Sequence, residues 1–155
     1  MANFLGEYEI ALDAKGRFLL PSGLRKQIGE GVSMQFVVKR DFENCLTIYH
    51  IETWNAISAK LNKLNDLKKD VREFKRLFLN GATVVELDSA DRMLVPKPLQ
   101  EYAGIKKEAV LAAQGNKMEL WDKDTYYNYL RQNAVNMSRL AEDVANDNGN
   151  LFENL

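Results

Sequence analysis

The chain repeats itself once. A slide of 75 residues sets Asp13 on Asp88, Arg17 on Arg92, Pro21 on Pro96, Leu24 on Leu99 and Gly29 on Gly104. A slide of 72 then sets the segment 46–54 on 118–126, so the first copy holds three more residues in one loop, near Arg40 to Asn44. Repetition of this kind means that one supersecondary unit is used twice. A unit of about 50 residues with four short strands buries too little apolar surface to be secure alone. The two copies are therefore expected to pack on each other about a pseudo-two-fold axis.

Each copy reads as β-β-α-β-β-α. A strand (6–12, then 83–87) leads into an Asp-x-x-x-Arg turn, and a second short strand follows (17–20, then 92–95). A proline ends that strand and a short helix comes next. Ser22 is placed to cap the first of these helices and Gly29 to end it; Pro98 suits the first turn of the second and Gly104 its end. Two further strands form a hairpin, 35–39 with 45–49 and 109–113 with 117–121, the latter through Gln114-Gly115-Asn116. Trp54, Ile57, Leu61 and Leu64, then Leu67, Val71, Phe74 and Phe78, recur at helical spacing. They predict two tandem helices, or one bent helix, between the copies. Tyr126, Leu130, Ala134 and Met137 predict a closing helix. The expected divisions are a first domain over 5–52, a helical linker over 53–80, a second domain over 81–124, a C-terminal helix over 125–145 and a mobile acidic tail over 146–155. Apolar surface left over on the helices is a candidate for oligomer contacts.

The turns carry the chemistry. In Asp13-Ala14-Lys15-Gly16, an aspartate at the first position bonds the backbone two residues on. Glycine at the fourth supplies the positive φ of a type I turn with a G1 bulge. Asp91 takes the glycine position in the second copy, and aspartate is among the few other residues that enter that region readily. Asp13 then pairs with Arg17, and Asp88 with Arg92. The plain reading is an exposed ion pair stapling a hairpin, of little energetic weight. The functional reading is that each carboxylate orients its guanidinium. An arginine so held pairs with guanine O6 and N7 or with phosphate, and Lys15 at the first tip adds a point charge. A β-ribbon in the major groove is a known docking mode.

The doubled Asp-x-x-x-Arg, each followed by an apolar strand, a proline and a short helix, resembles the MraZ family. The segments EYEIALDAKGRFLLPSGLR and VELDSADRMLVPKPLQEYAGI carry that resemblance, which covers residues 1 to about 135. It implies an α+β fold of tandem AbrB-like swapped-hairpin units, packed as a pseudo-two-fold double-hairpin barrel with flanking helices. It further implies a transcriptional regulator of the bacterial division and cell-wall gene cluster. Such a protein binds G-rich direct repeats in double-stranded promoter DNA as a ring-shaped homo-oligomer, in the cytoplasm and on the nucleoid. Carried onto this chain, the DNA-binding residues are Lys15, Arg17 and Arg92, and the orienting carboxylates are Asp13 and Asp88. The second turn departs from the first: Ala90 replaces the tip lysine and Asp91 adds a negative charge. The first turn is therefore expected to contribute more to DNA affinity.

Composition narrows the rest. A net charge of -1 excludes a broadly basic protein, so nucleic-acid binding has to come from a local patch. Basic residues outnumber acidic ones over 51–80, and the balance reverses after Met137. One cysteine, Cys45, excludes an intrachain disulfide and a cysteine-rich metal site. No apolar run approaches the roughly 20 residues of a membrane span, and the N-terminal residues lack the pattern of a signal peptide. There is no phosphate loop, nucleophile elbow or metal-ligand spacing. No enzyme activity, cofactor, metal, small-molecule substrate or membrane partner is expected. His50, which aligns with Asp122, reads as a helix-start residue, and Cys45 as a small buried hydrophobe. The rival reading is an oligomeric protein-binding scaffold whose Asp-Arg pairs serve assembly; a third is an antitoxin-like use of the same unit.

Overall fold

The structure, a computed structural model, describes residues 3–149. Two compact units divide the chain, one ending at Lys123 and the other beginning at Asp124. In the first unit the strands are β1 (Phe4–Ala11), β2 (Arg17–Leu19), β3 (Gln35–Arg40), β4 (Leu46–His50), β5 (Thr83–Glu86), β6 (Arg92–Leu94), β7 (Glu108–Gly115) and β8 (Met118–Asp122). Its helices are α1 (Ser22–Ile28), α2 (Ile51–Asn62), α3 (Lys69–Phe78) and α4 (Lys97–Ala103).

The strands pair across the repeats. An antiparallel six-stranded sheet runs in the order β1-β7-β8-β4-β3-β5, and β2 pairs with β6 in a separate ribbon. Exchanging the two copies turns this order into its own reverse. β1 on β7 corresponds to β5 on β3, and β3 on β4 to β7 on β8. In the centre Thr47 faces Glu119, and in the ribbon Phe18 faces Met93, so the pseudo-two-fold axis passes through both pairs. Neither copy has a complete sheet without the other.

The core follows the same symmetry. Phe18 and Met93, Leu20 and Val95, Leu24 and Leu99, Val38 and Leu111, Leu46 and Met118, and Ile48 and Leu120 are repeat-related, and all are buried in one cluster. Burial of a side chain of this size is worth about 1.5–3 kcal/mol. One shared core removes from water what two isolated units would leave half exposed.

Two expectations are corrected. The sheet does not close into a barrel: β1 and β5 are its free edges, and the ribbon stands apart from it. The ribbon is too short to bridge those edges. Its strands have three residues each, and Pro21 and Pro96 soon follow without the amide that would extend the ladder. Ser22, expected as a cap, is the first residue of α1; Pro21 holds the cap position with no side-chain bond.

The linker forms two helices. Trp54 of α2 stacks on Phe78 of α3 with centroids 6.2 Å apart. Yet α3 buries no residue, and Phe74, Leu77 and the neighbouring Phe42 are exposed. In the second unit α5 (Lys123–Asn133) leads through a 3-10 turn (Ala134–Asn136) to α6 (Met137–Asp147). Of the tail expected over 146–155, residues 146 and 147 end α6 and 150–155 lie outside the described residues.

Candidate nucleic-acid interface

Both turns have the predicted local geometry. The Asp13 amide donates to the Arg17 carbonyl at 2.8 Å and the Gly16 amide to the Asp13 carbonyl at 2.9 Å. The second turn repeats this between Asp88, Asp91 and Arg92, with both bonds at 3.0 Å. Gly16 has φ 82° and Asp91 has φ 58°, the only non-glycine residue with positive φ among the described residues. The side chains match as well. Asp13 Oδ1 accepts from the amides of Lys15 and Arg17, and Oδ2 from Arg17 Nε at 2.8 Å. Asp88 Oδ1 accepts from the amides of Ala90 and Arg92, and Oδ2 from Arg92 Nε at 2.9 Å.

These bonds hold both carboxyls below the usual carboxylate range. The arginine's own amide has the largest effect in each, with the guanidinium and the tip amide adding to it. Each carboxylate binds its arginine through Nε, which leaves the terminal guanidinium nitrogens, the pair that reads guanine or grips phosphate, out of that bond.

The turns are not tips of hairpins, however. β1 leaves for β7 and β2 for β6, so both arginines fall on one ribbon. Arg17 faces Leu94 and Arg92 faces Leu19 across the strands. With Phe18 and Met93 turned into the core, alternation puts Arg17, Leu19, Arg92 and Leu94 together on the outer face. Diagonal neighbours on such a ribbon lie about 7–8 Å apart, which brings the two guanidinium groups within reach of one ligand surface. Leu19 and Leu94 are 61% and 48% exposed. Sequence reasoning missed them, because a three-residue strand is too short to display alternation. Lys15 is exposed at the first tip.

The surroundings of the turns differ. Beside the first, Gln100 of α4 donates its side-chain amide to the Val95 carbonyl at 2.8 Å and packs where a β-carbon on Gly16 would sit. Beside the second, the repeat-related residue is Arg25 of α1, and its Nε lies 3.7 Å from Asp91 Oδ1. The extra negative charge of the second turn thus has a cation facing it. That partner was missed as well, although the two substitutions stand at equivalent places in the two copies.

The remaining candidates have structural roles. His50 caps α2: Nδ1 accepts from the Glu52 amide while Nε2 bonds the Ser33 carbonyl at 2.6 Å, which makes Nε2 the protonated nitrogen. Cys45 is buried, and burial pushes its thiol far up. It bonds Asp41, which with Glu119 and Lys117 forms a polar cluster beside the axis. Cys45, Asp41 and Glu119 bring ligand-type atoms within 4.8 Å of one another. Their hydrogen bonds and the Lys117 ammonium already satisfy them, and Trp121 and Gln114 both donate to Glu119. Among the described residues no helix is long and apolar enough to cross a membrane.

Comparison with known proteins gives a consistent picture. The MraZ protein family model, whose description also carries the words antitoxin-like, matches twice, over residues 3–77 and 78–148. A protein of Christiangramia forsetii named transcriptional regulator MraZ is 43% identical over 145 residues, covering 93% of this chain and 94% of that one. Proteins of the same name from Acetivibrio thermocellus and Flavobacterium psychrophilum are 38% and 37% identical. The first covers 92% of this chain and 96% of its own, the second 93% and 92%.

Proposed function

Because the chain belongs to the MraZ family, we propose that it is a transcriptional regulator that binds double-stranded promoter DNA sequence-specifically through the β2–β6 ribbon. The observation that carries this reading is the presence of Arg17 and Arg92, each held through Nε by its own aspartate, on the outer face of that ribbon. The guanidinium groups enter the major groove, Lys15 takes a phosphate, and Asp13 and Asp88 keep the arginines in place. Leu19 and Leu94 between them offer apolar contact of the kind a thymine methyl accepts. The interleaved pairing of the copies supports kinship with AbrB-like swapped-hairpin domains, with 5–52 and 81–124 as the two DNA-binding halves.

Binding is cooperative and requires assembly. One protomer with a few cationic contacts binds weakly, whereas several protomers on spaced direct repeats gain through effective concentration. The exposed apolar surface of α3 and α6 favours contact between copies. α3 has four basic residues against two acidic, α6 one against three, and neither buries a side chain. The resemblance points to a ring that acts on the division and cell-wall gene cluster from the nucleoid. A gel shift of the purified protein on its own upstream DNA, across a salt series, tests this. Affinity rises steeply from one repeat to three and falls with salt; equal affinity for both duplexes overturns the assembly, and salt-independent binding overturns the interface. The scaffold reading instead requires Arg17→Ala to dissolve the oligomer.

A further inference from the structure

A cleft of about 480 Å³ opens beside the first turn, and Lys15, Lys97 and Lys106 all line it. They come from three segments: the tip of the first turn, the start of α4 and the loop between α4 and β7. All three are exposed, and among the described residues none has a carboxylate partner. Asp13 is the one acidic residue of the lining, and its oxygens already bind Arg17 and the turn amides. Several other lysines of this unit do have carboxylate partners: Lys75 is paired with Asp66, Lys117 with Asp41 and Glu119, and Lys123 with Glu9 and Glu108.

The pseudo-symmetry supplies an internal control. The residues equivalent to Lys15, Lys97 and Lys106 beside the second turn are Ala90, Ser22 and Ser33. None is charged, and Arg25 beside them faces Asp91. A fold built from two like halves thus has three free ammonium groups around one turn and none at the equivalent places around the other. Packing alone gives no reason for this. Three strongly hydrated point charges around one concavity suit an oxyanion with several acceptor oxygens.

We propose that this cleft is a phosphate site, and that Lys97 and Lys106, together with Lys15, clamp a DNA backbone phosphate flanking the bases under the ribbon. The inference rests on the DNA-binding reading above. It adds that the duplex is anchored at one end of the ribbon, so that the symmetric-looking arginine pair is laid on DNA in a single direction. Phosphate contacts fix orientation without reading sequence.

The test uses the full chain, its own upstream duplex and a scrambled duplex of equal length, with anisotropy titrations over a salt series. The K97Q/K106Q double variant should bind both duplexes more weakly by a similar factor. Its salt dependence should fall by about 2 in log–log slope per bound protomer, close to one for each cation removed from the DNA backbone. The K26Q/K60Q variant removes the same charge from elsewhere and should keep the parental slope. An equal drop in that control overturns the site, because net charge alone then explains the effect. If K97Q/K106Q keeps the parental affinity and slope while Arg17→Ala loses the specific duplex, the cleft inference fails and the DNA reading stands. If the parent binds neither duplex, the DNA reading falls and takes the cleft with it. Inorganic phosphate binding in the cleft with no change in duplex affinity on K97Q/K106Q would assign the site to a free anion instead.

Discussion

The two Asp-x-x-x-Arg turns share every internal hydrogen bond and differ in almost everything around them. The first has glycine at the positive-φ position with Gln100 packed against it, a lysine at its tip and a cleft lined by lysines. The second has an aspartate there, facing Arg25, and an alanine at its tip. What is common to both turns is what places an arginine on the ribbon. What differs is the electrostatic setting of that arginine. The duplicated turn has in this way kept its geometry while its two copies diverged in the charge around them.

Alanine substitution of the arginines should break the equivalence most sharply. A bidentate arginine–guanine pair is worth about 1–3 kcal/mol, roughly 5- to 160-fold in affinity. Arg17→Ala should reach the upper part of that range on the upstream duplex, since Arg17 belongs to the turn with the tip lysine and no added negative charge. Arg92→Ala should fall in the lower part, and Lys15→Ala below both. Anisotropy at one fixed salt concentration ranks the three, and a larger loss for Arg92→Ala refutes the inequality. All three variants should keep the parental elution volume, because none of these side chains is in the core.

The next test exchanges the local settings. Gly16→Asp puts a side chain where Gln100 packs and imposes a positive φ on a residue with a β-carbon. Overpacking and strain of this kind cost about 1–3 kcal/mol, readable in the urea midpoint. Adding Gln100→Arg rebuilds the arrangement of the second turn and should recover part of the loss. A double variant no more stable than Gly16→Asp alone would show that the Arg25–Asp91 pair is incidental to the tolerance of Asp91.

Much of this was legible in the sequence, for a physical reason. The turn depends on chemistry within five residues, so aspartate, the tip and glycine predict its hydrogen bonds directly. The repeat likewise exposes the shared core, because repeat-related apolar residues have to meet across an axis. Strand partners are another matter. Nothing local tells β1 to leave its neighbour β2 for β7, since either pairing satisfies the backbone and only the global packing chooses. The open sheet and the ribbon followed from that choice. The cleft was hidden for the same reason: Lys15 is far in the chain from Lys97 and Lys106 and comes beside them only after the copies interleave. One signal was present and unused. The departures at Asp91 and Arg25 occur at positions equivalent to Gly16 and Gln100, and paired departures between two copies mark spatial neighbours.

The smallest effect concerns the other point on the axis, where Thr47 faces Glu119 and the symmetry is broken by residue type. Asp41, in the loop between β3 and β4, reaches this place and shares a hydrogen bond with Glu119. Burial first, and then Asp41, push the Glu119 carboxyl above its ordinary 4.5. Burial acts the same way on Asp41, but bonds from Thr47, Glu119 and the Phe42 amide outweigh it and hold Asp41 below its ordinary 3.8. The two carboxyls are thus shifted in opposite directions. A group raised on folding contributes stability that is complete below its unfolded value and is lost as pH rises through the folded one. For Asp41 the sign is opposite, and its contribution is lost as pH falls below 3.8. Urea unfolding should thus show a shallow stability maximum near the ordinary carboxylate range and a modest decline from pH 4.5 toward neutrality. Glu119→Gln keeps a donor toward Asp41 and removes the titration, so its stability should be flat over that rise. A variant that declines like the parent would place the pH dependence elsewhere than at this break in the symmetry.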